Sequence, residues 1–395
     1  MLPKNVQIVM DTLLCAGYEV YAVGGCVRDR LLGKTPDDWD LTTSALPEET
    51  MRCFADLPQN LNGLKHGTVG VILYGSMLEI TTYRIDGKYR DNRHPEKITY
   101  TASLKKDLAR RDFTVNAIAM DRQERLIDPF GGCADIGRRL IRCVGKPKTR
   151  FREDALRILR GLRFASLPGF SLEKHTLDAA NACAPLLSRI AVERVYTEVK
   201  KMLALPGAGD VMASTLPVFR AVFPTLSVTE DAWTLVCRRV KESGKNPELS
   251  FLCILEHTNI EQEMNALKME KKRKKRLLTA YALRDTVWDG KRALARAMSE
   301  HGRDIILLLC RFQILTGRCD ASWMTVAEDA ARGCVSLSEL AVNGQDLKAA
   351  GFRGQRIREV LECLLTAVID GDCPNKKEAL LAYCGGMKRT KRGSV

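Results

Sequence analysis

A length of 395 residues excludes a single hydrophobic core and predicts two to four domains. Hydrophobic residues make up 45% of the chain but aromatic residues only 6%, which favours a helical body over an aromatic-rich β architecture. Lys and Arg number 62 against 48 Asp and Glu, a formal net charge of +14, which favours a polyanionic partner such as nucleic acid over a small metabolite alone.

The first distinctive stretch, residues 21–43, combines a glycine pair, a basic helix and two aspartates. Residues 19–23 form a β-type run, after which Gly24-Gly25 allow a tight turn into a helix. Successive backbone N–H groups in such a turn can point at one anion, and Arg28, one turn into the helix, can bind a phosphate bidentately. The sequence therefore predicts a phosphate site at the glycine pair and Arg28.

Asp38 and Asp40 are spaced like alternate residues of a strand, which places both carboxylates on one side while Trp39 points into the core. Two carboxylates so close repel each other unless a cation lies between them, and Mg²⁺ is the hard ion that bridges carboxylates and nucleotide phosphates. Glu79, in a hairpin predicted over residues 69–83, is our candidate for the third carboxylate of a two-metal site. The alternatives are an acidic loop for the aspartates and a solvent-facing strand position for Glu79.

A third motif lies where a helix predicted over 104–111 meets a strand predicted over 113–120. Arg110, Arg111, Asp112 and Asn116 at this junction could hold a sugar or a phosphate, and a charged helix end is the alternative. Together with the earlier motifs, and in the same order, these residues resemble the class II bacterial-type tRNA nucleotidyltransferases, the CCA-adding enzymes and their poly(A) polymerase relatives. The resemblance is carried by Gly24-Gly25-x-x-Arg28-Asp29, Asp38-x-Asp40 and Arg110-Arg111-Asp112-Phe113-Thr114-x-Asn116-Ala117.

This resemblance implies an α+β fold, with a small mixed, polymerase-beta-like nucleotidyltransferase sheet domain followed by an all-helical neck, body and tail. We accordingly expect a catalytic head over 1–144, a neck with a nucleotide-reading helix over 145–205, a body over 206–330 and a tRNA-binding tail over 331–395. It also implies CTP and ATP as substrates, Mg²⁺ as cofactor, and the 3′ end and elbow of tRNA as partners. The sequence does not indicate an oligomeric state.

Residues 85–97 carry one charge after another without apolar periodicity, and we interpret them as a mobile loop over the active site. An ordinary surface connection is the alternative. In the resembling family a loop between these motifs is implicated in adding the terminal A, so its presence favours full CCA addition.

Residues 151–165 predict one helix whose apolar positions 155, 156, 159 and 162 pack inward. Asp154, Arg157 and Arg160 are spaced three apart, so we expect their side chains to be neighbours. A carboxylate accepts from an exocyclic amino group while a guanidinium donates to a ring nitrogen, a pattern that cytosine and adenine share and that guanine and uracil reverse. The resemblance makes Asp154 and Arg157 the protein template, and a solvated salt bridge is the alternative. Arg160 and Arg163 are candidates for contacts with phosphate or the tRNA end.

The remainder of the chain predicts Leu/Ala/Val-rich helices. Glu193 and Arg194 begin a helix that we expect to brace the reading helix through ion pairs. The basic run 268–276 could contact tRNA phosphates, although a solvated helix face is the alternative. Residues 341–347 and 351–355 resemble the family near its tail, and the same residues can form a helix cap and a glycine turn.

The fourteen cysteines do not form a disulfide or zinc framework, because no two lie closer than nine positions and none forms a C-x2-4-C knuckle. We interpret them as buried, reduced thiols of a cytoplasmic protein. The N-terminus reads as an amphipathic run and not as a secretory signal, and no apolar stretch approaches the roughly 20 residues of a membrane span.

The sequence thus predicts a CCA tRNA nucleotidyltransferase that uses two metals to transfer nucleotides to the tRNA 3′-OH with release of pyrophosphate. The nearest alternatives are a poly(A) polymerase or a partial A-adding or CC-adding relative. An alternative of another class is a non-catalytic RNA-binding protein.

Overall fold

The computed structural model of the protein describes residues 1–87 and 98–389. Most of the predicted charged loop, residues 88–97, and the end of the basic C-terminus therefore lie outside the described residues. The chain divides into two compact units, which are Met1–Pro247 with Ala266–Lys268, and Glu248–Asn265 with Met269–Val395. The predicted boundaries of head, neck, body and tail stay a prediction.

A mixed sheet organises the first part of the chain. Among the described residues it has seven strands in the order β3-β4-β5-β2-β1-β8-β9, and β6 with β7 and β10 with β11 form separate ribbons. The strands are β1 Val20–Val23, β2 Asp40–Thr43, β3 Gln59–Asn60, β4 Thr68–Leu73, β5 Ser76–Thr82, β6 Arg84–Asp86, β7 Ile98–Tyr100, β8 Ala119–Met120, β9 Leu126–Ile127, β10 Leu140–Ile141 and β11 Ser171–Leu172.

The predicted hairpin is present as β4 and β5, joined by a two-residue turn. Tyr74 and Gly75 both have positive φ, at 51° and 75°, as a type I′ turn requires. On β5 the side chains alternate, so that Leu78 and Ile80 are buried while Glu79 is exposed. β5 then pairs in parallel with β2, which sets the hairpin beside the strand of the aspartates.

Helices cover this sheet and continue as a purely helical architecture, since the structure describes no strand after residue 172. The fold class is therefore confirmed as a mixed α+β head followed by a mostly helical remainder, but the expectation of an all-helical neck over 145–205 is wrong, because β11 lies within it and pairs with β10. The helices of the first 165 residues are α1 Lys4–Cys15, α2 Gly25–Leu31, α3 Pro47–Cys53, α4 Leu104–Ala109, α5 Gly132–Gly137, α6 Pro147–Glu153 and α7 Leu156–Ala165. The later helices are α8 Lys174–Cys183, α9 Val192–Leu203, α10 Ala208–Ala213, α11 Leu216–Val222, α12 Glu230–Glu242, α13 Pro247–Leu255, α14 Ile260–Ala266, α15 Lys271–Ala282, α16 Gly290–His301, α17 Arg303–Leu315, α18 Trp323–Arg332, α19 Gly344–Ala349, α20 Arg356–Asp370 and α21 Lys377–Arg389.

The strand predicted over 113–120 is wrong for its first half. Thr114–Asn116 form a 3-10 turn, and only Ala119–Met120 pair in the sheet. The hydroxyl of Thr114 donates to Asp135 at 2.6 Å, and the amide of Asn116 donates to Asp112 at 3.0 Å. Side-chain hydrogen bonds of this kind compete with a strand ladder, which explains the turn.

The single helix predicted over 151–165 is also wrong. Asp154 has extended backbone, with φ −140° and ψ 104°, and separates α6 from α7. Its carboxylate accepts from the backbone N–H of Leu156, the first residue of α7, at 3.0 Å, so the aspartate bonds to the new helix instead of continuing the old one. The predicted inward positions 155, 156, 159 and 162 are nevertheless all buried.

The fourteen cysteines carry reduced thiols, as predicted, and eight of them are buried. The prediction that the cysteines are buried is wrong for Cys15 and Cys363, which are exposed. Within residues 1–87 and 98–389 we find no helix with the length and apolar character needed to cross a membrane. Asn343 caps α19 through bonds to the N–H groups of Gln345 and Asp346, which confirms the predicted helix cap there.

Candidate active site

Two guanidinium groups lie beside the glycine turn. Gly24 has φ 81° and ψ −131°, a conformation that only glycine adopts readily, and α2 begins at Gly25. A Cβ at Gly24 would lie 3.1 Å from Nη1 of Arg111, and one at Gly25 would lie 3.6 Å from Nη2 of Arg28. The absence of side chains at the turn therefore leaves a space that two cations border, as a phosphate site requires.

Arg28 is buried and joins the turn to the third motif. Its Nη1 donates to Oδ1 of Asn116 at 2.7 Å, while Nε and Nη2 donate to Asp29 at 3.0 and 2.9 Å. Asn116 in turn donates to Asp112 at 3.0 Å. The structure thus brings the first and third predicted motifs together, although 88 residues separate Arg28 from Asn116.

Asp112 continues this network to α7. One of its carboxylate oxygens lies 2.9 Å from Nε and 2.8 Å from Nη2 of Arg160. Burial by itself raises the pKa of Asp112, but the charge of Arg160 and the hydrogen bonds from Asn116 and Arg160 outweigh burial and lower the pKa to about 2. Asp112 therefore stays ionised and orients cations, so proton transfer is not its role at neutral pH.

The predicted carboxylates lie around the start of β2, where that strand begins to pair with the middle of β5. Asp40 is directly opposite Glu79 in the parallel pairing, and both side chains are exposed. Asp38 precedes the strand, so the expectation that both aspartates lie on it is wrong for Asp38. Trp39 between them is buried, as predicted.

These carboxylates act on one another electrostatically. Partial desolvation raises the pKa of Asp40 despite its access to solvent, the charges of Glu79 and Asp38 raise it further, and Arg111 opposes them. A divalent ion would relieve this repulsion, and carboxylate oxygens are the donors that hard ions prefer, so the donor set fits such an ion. In the part of the chain that the structure describes, no three His, Cys, Asp or Glu side chains enclose a metal position. An ion bound to these carboxylates would therefore need oxygens from water or substrate to complete its coordination.

Arg111 is held by Asp107, a residue that sequence reasoning missed. Asp107 is fully buried and accepts from Arg110 at 2.8 Å, from Arg111 at 3.4 Å and from the backbone N–H of Arg84 at 3.3 Å. Burial alone raises the pKa of Asp107, but the two guanidiniums outweigh it and lower the pKa. The spacing of this aspartate, three and four residues before two arginines in a predicted helix, was the available signal.

Asp154 and Arg157 have partners other than the predicted ones. Arg157 donates to Glu153 at 2.7 Å and to the backbone carbonyl of Arg110 at 3.1 Å. Asp154 lies 3.4 Å from Nη2 of Arg194, so the expected ion-pair brace of α9 is present for Arg194. The break at Asp154 removes the continuous helix from which their neighbouring positions were inferred.

Arg163 of the reading helix and Glu193 of the predicted brace also have ion-pair partners. Arg163 pairs with Glu198 on α9 at 2.7 Å, and Glu198 is a second residue that sequence reasoning did not single out. Glu193 pairs with Lys268 at 2.6 Å and does not carry the brace to the reading helix. Arg160 and Arg163 therefore lie on the same helix as Arg157 but are tied to different carboxylates.

Comparison with known proteins identifies the family. Residues 20–142 match the family model of the poly A polymerase head domain, residues 169–227 that of the probable RNA and SrmB- binding site of polymerase A, and residues 225–384 that of the putative tRNA nucleotidyltransferase domain 2. The CCA-adding enzyme of Geobacillus kaustophilus is 36% identical over 95% of this chain and 94% of its own length. That of Levilactobacillus brevis is 36% identical over 96% of this chain and 98% of its own length.

Solved structures agree with the sequence comparison. The Bacillus stearothermophilus CCA-adding enzyme in complex with CTP superimposes with a TM-score of 0.75 at 31% identity, covering 99% of both chains. The Thermotoga maritima CCA-adding enzyme complexed with tRNA has a TM-score of 0.68 at 22% identity, covers 98% of this chain and 96% of its own, and supports the fold alone. This chain belongs to the family of the CCA-adding enzymes, which are tRNA nucleotidyltransferases.

Proposed function

We propose that this enzyme adds and repairs the 3′-terminal CCA of tRNA, using CTP and ATP and releasing pyrophosphate. The observation that carries the proposal is the meeting of Asp40 and Glu79 with Arg111 and the glycine turn, in a chain of this family. Carboxylates beside a cation-bordered glycine turn are the parts that nucleotidyl transfer needs, because its transition state gathers negative charge on phosphate oxygens.

The family implies a divalent metal ion, and we propose Mg²⁺ because every donor in question is a carboxylate oxygen. Asp38 and Asp40 would hold it, with Glu79 as the third carboxylate. When bound, such an ion supplies activation of the tRNA 3′-hydroxyl and stabilisation of the leaving pyrophosphate. Arg28 and Arg111, which lie beside Gly24-Gly25, would bind the triphosphate.

The third motif would position the sugar and the cations around it. Asn116 uses its carbonyl oxygen for Arg28 and its amide for Asp112, so this pair fixes the guanidinium that would meet the triphosphate. Asp112 fixes Arg160 in the same way. Arg160 and Arg163 are then candidates for the phosphates of the nucleotide or the tRNA end.

Asp154 and Arg157 would choose the base. Asp154 uses one oxygen for the backbone N–H of Leu156 and the other for Arg194, and a carboxylate with about four acceptor sites can still accept from an exocyclic amino group. Arg157 is held by Glu153, the residue that precedes Asp154 in the chain, and by the Arg110 carbonyl. Cytosine and adenine would satisfy this pair, whereas guanine and uracil would place like groups against it.

The tRNA would be bound mainly through its phosphates. Two arginines of the basic run on α15, Arg273 and Arg276, pair with Glu248. Three lysines of the same run are exposed, namely Lys271, Lys272 and Lys275. The exposed lysines are the candidates for phosphate contacts. The tail, residues 331–395, would contact the elbow of the tRNA.

The test is the product ladder on a tRNA that ends before the first C, incubated with CTP alone, ATP alone and both. With CTP alone we expect the addition of two C nucleotides to the tRNA, and with both CTP and ATP we expect addition to stop after CCA. A long A tract would identify a poly(A) polymerase, and a stop after CC or addition of A only would identify a partial enzyme. Binding of tRNA without any incorporation would identify a non-catalytic RNA-binding protein and overturn the proposal.

A further inference from the structure

The ring of Phe164, near the end of α7, contacts three guanidinium groups. The guanidinium carbons of Arg163, Arg28 and Arg160 lie 4.4, 4.8 and 5.4 Å from the ring centroid. Phe164 is 5% exposed, and its ring meets Phe113 edge to face with the centroids 5.8 Å apart. Three like charges from two distant segments therefore gather around one buried aromatic ring.

The three guanidinium groups repel one another, and the aromatic ring can offset part of this repulsion. Burial lowers the pKa of Arg163, and the charges of Arg160 and Arg28 lower it further against the opposing effect of Glu198. The negative face of an aromatic ring attracts a guanidinium within about 6 Å, and the attraction is stronger when the contact is desolvated. Each cation also has a carboxylate partner: Asp29 for Arg28, Asp112 for Arg160 and Glu198 for Arg163.

Packing of α7, and not the arginines, fixes where the ring lies. A Cβ at Gly161 would come within 3.0 Å of Cζ of Phe113, so the glycine lets α7 approach Phe113 closely. Phe164, one turn later, meets the same side chain. The ring is therefore a fixed platform, whereas Arg28 is a long side chain that must be held in one of many rotamers.

We propose that Phe164 is a positioning residue of the nucleotide site, whose ring holds the guanidinium of Arg28 beside the glycine turn for the triphosphate of CTP or ATP. This inference rests on the proposed function, because it takes these nucleotides as ligands. Asn116 and Asp29 hold the N–H groups of Arg28, and the ring adds a restraint that these hydrogen bonds do not supply. No part of this role concerns the base, so base choice is independent of it.

The test replaces Phe164 with 4-fluoro-, 3,5-difluoro- and 3,4,5-trifluorophenylalanine, which weaken the negative face of the ring stepwise with little change in size. We expect the KM for CTP and for ATP to rise along the series, by about three- to tenfold at the last member. The kcat and the preference for CTP and ATP over GTP and UTP should stay near wild type. Inorganic tripolyphosphate, used as a competitor, should lose affinity in parallel.

Phe170 supplies the matched control. It is buried like Phe164, and the guanidinium carbon of Arg139 lies 5.7 Å from its ring, but neither residue belongs to the site. The same fluorinated series at Phe170 should leave the KM for CTP unchanged. Equal effects at both positions, or a KM that changes for Phe164→Leu but not along the fluorinated series, would overturn the positioning role.

The two proposals fail in different ways. If the unsubstituted enzyme extends tRNA with C and A but the KM stays flat along the series, the positioning role is wrong and the proposed function stands. If the unsubstituted enzyme does not extend tRNA at all, both are overturned.

Discussion

One carboxylate oxygen of Asp112 lies 2.9 Å from Nε and 2.8 Å from Nη2 of Arg160, 48 residues further along the chain. This ion pair ties the third motif of the sheet domain to α7, the helix that follows Asp154 and carries Arg157. Because Asp112 also binds Asn116, and Asn116 binds Arg28, the same network reaches the glycine turn. The proposed phosphate site and the base-reading helix are thus parts of one hydrogen-bonded unit.

This ion pair predicts a specific acid sensitivity. Asp112 has a folded-state pKa of about 2 against an ordinary 3.8, so its ionised form stabilises the fold above about pH 4, and this contribution is lost as the pH falls from 3.8 to 2. The lost stability is on the order of 2 kcal/mol. Urea unfolding of Asp112→Asn and wild type should differ most at pH 5–7 and converge near pH 2. A difference that does not depend on pH would contradict the assignment.

Removal of a carboxylate from the proposed metal site should abolish chemistry without unfolding the protein. Asp40→Ala is expected to lower the rate of CMP incorporation on the order of 10³-fold or more, because the developing charge loses its counterion. Asp37→Asn, an exposed neighbour, is the matched control and should retain near wild-type activity. An Asp40→Ala enzyme that still incorporates nucleotide would remove this carboxylate from the mechanism.

Arg157→Ala should relax base choice. Loss of its donor against cytosine and adenine should lower the preference for CTP and ATP over GTP and UTP by about 10- to 100-fold, as expected for one mispaired buried group. Single-turnover incorporation of each nucleotide measures this ratio. Arg152→Ala, an exposed arginine on α6, should leave the ratio unchanged. An unchanged ratio in Arg157→Ala would show that the base is read elsewhere.

Gly24→Ala and Gly17→Ala form an informative pair. Both glycines have positive φ, at 81° and 87°, so each substitution should cost about 1–3 kcal/mol of stability. Only the Cβ at Gly24 meets a guanidinium, that of Arg111 at 3.1 Å, whereas nothing lies within 4 Å at Gly17. The KM for CTP should therefore rise only in Gly24→Ala. A similar KM in both variants would indicate that the turn does not hold the triphosphate.

The exposed lysines of α15 should contribute to the binding of tRNA and not to the binding of the nucleotide. Replacing Lys271, Lys272 and Lys275 by alanine is expected to raise the KM for tRNA and to lower the slope of log K against log salt by about 0.7–0.9 for each lost contact. The KM for CTP should not change. The matched lysine-to-arginine triple variant keeps the charges and should bind tRNA normally. If the slope of log K against log salt is the same in the alanine variant and in wild type, these lysines do not contact tRNA phosphates and form a solvated helix face.

The sequence alone was sufficient wherever a feature depends on near neighbours. The positive-φ glycine turn, the hairpin at Tyr74-Gly75, and the buried faces of β5 and α7 follow from residue spacing and from the conformational freedom of glycine. The motif order at the glycine pair, the aspartates and the later Arg-Arg-Asp stretch was enough to indicate the family. The turn, the hairpin and the buried faces are local, so residue spacing predicts them, whereas the family was indicated by the resemblance of the motifs.

Only the tertiary structure decided which distant side chains meet. The parallel pairing of β2 with β5 places Asp40 opposite Glu79, and no local pattern specifies that register. The buried Asp107, the Asp112–Arg160 pair and the helix break at Asp154 likewise depend on partners that the fold supplies. Their physical reason is shared: a buried charge must find counterions and hydrogen bonds, and the backbone takes whatever course lets it do so.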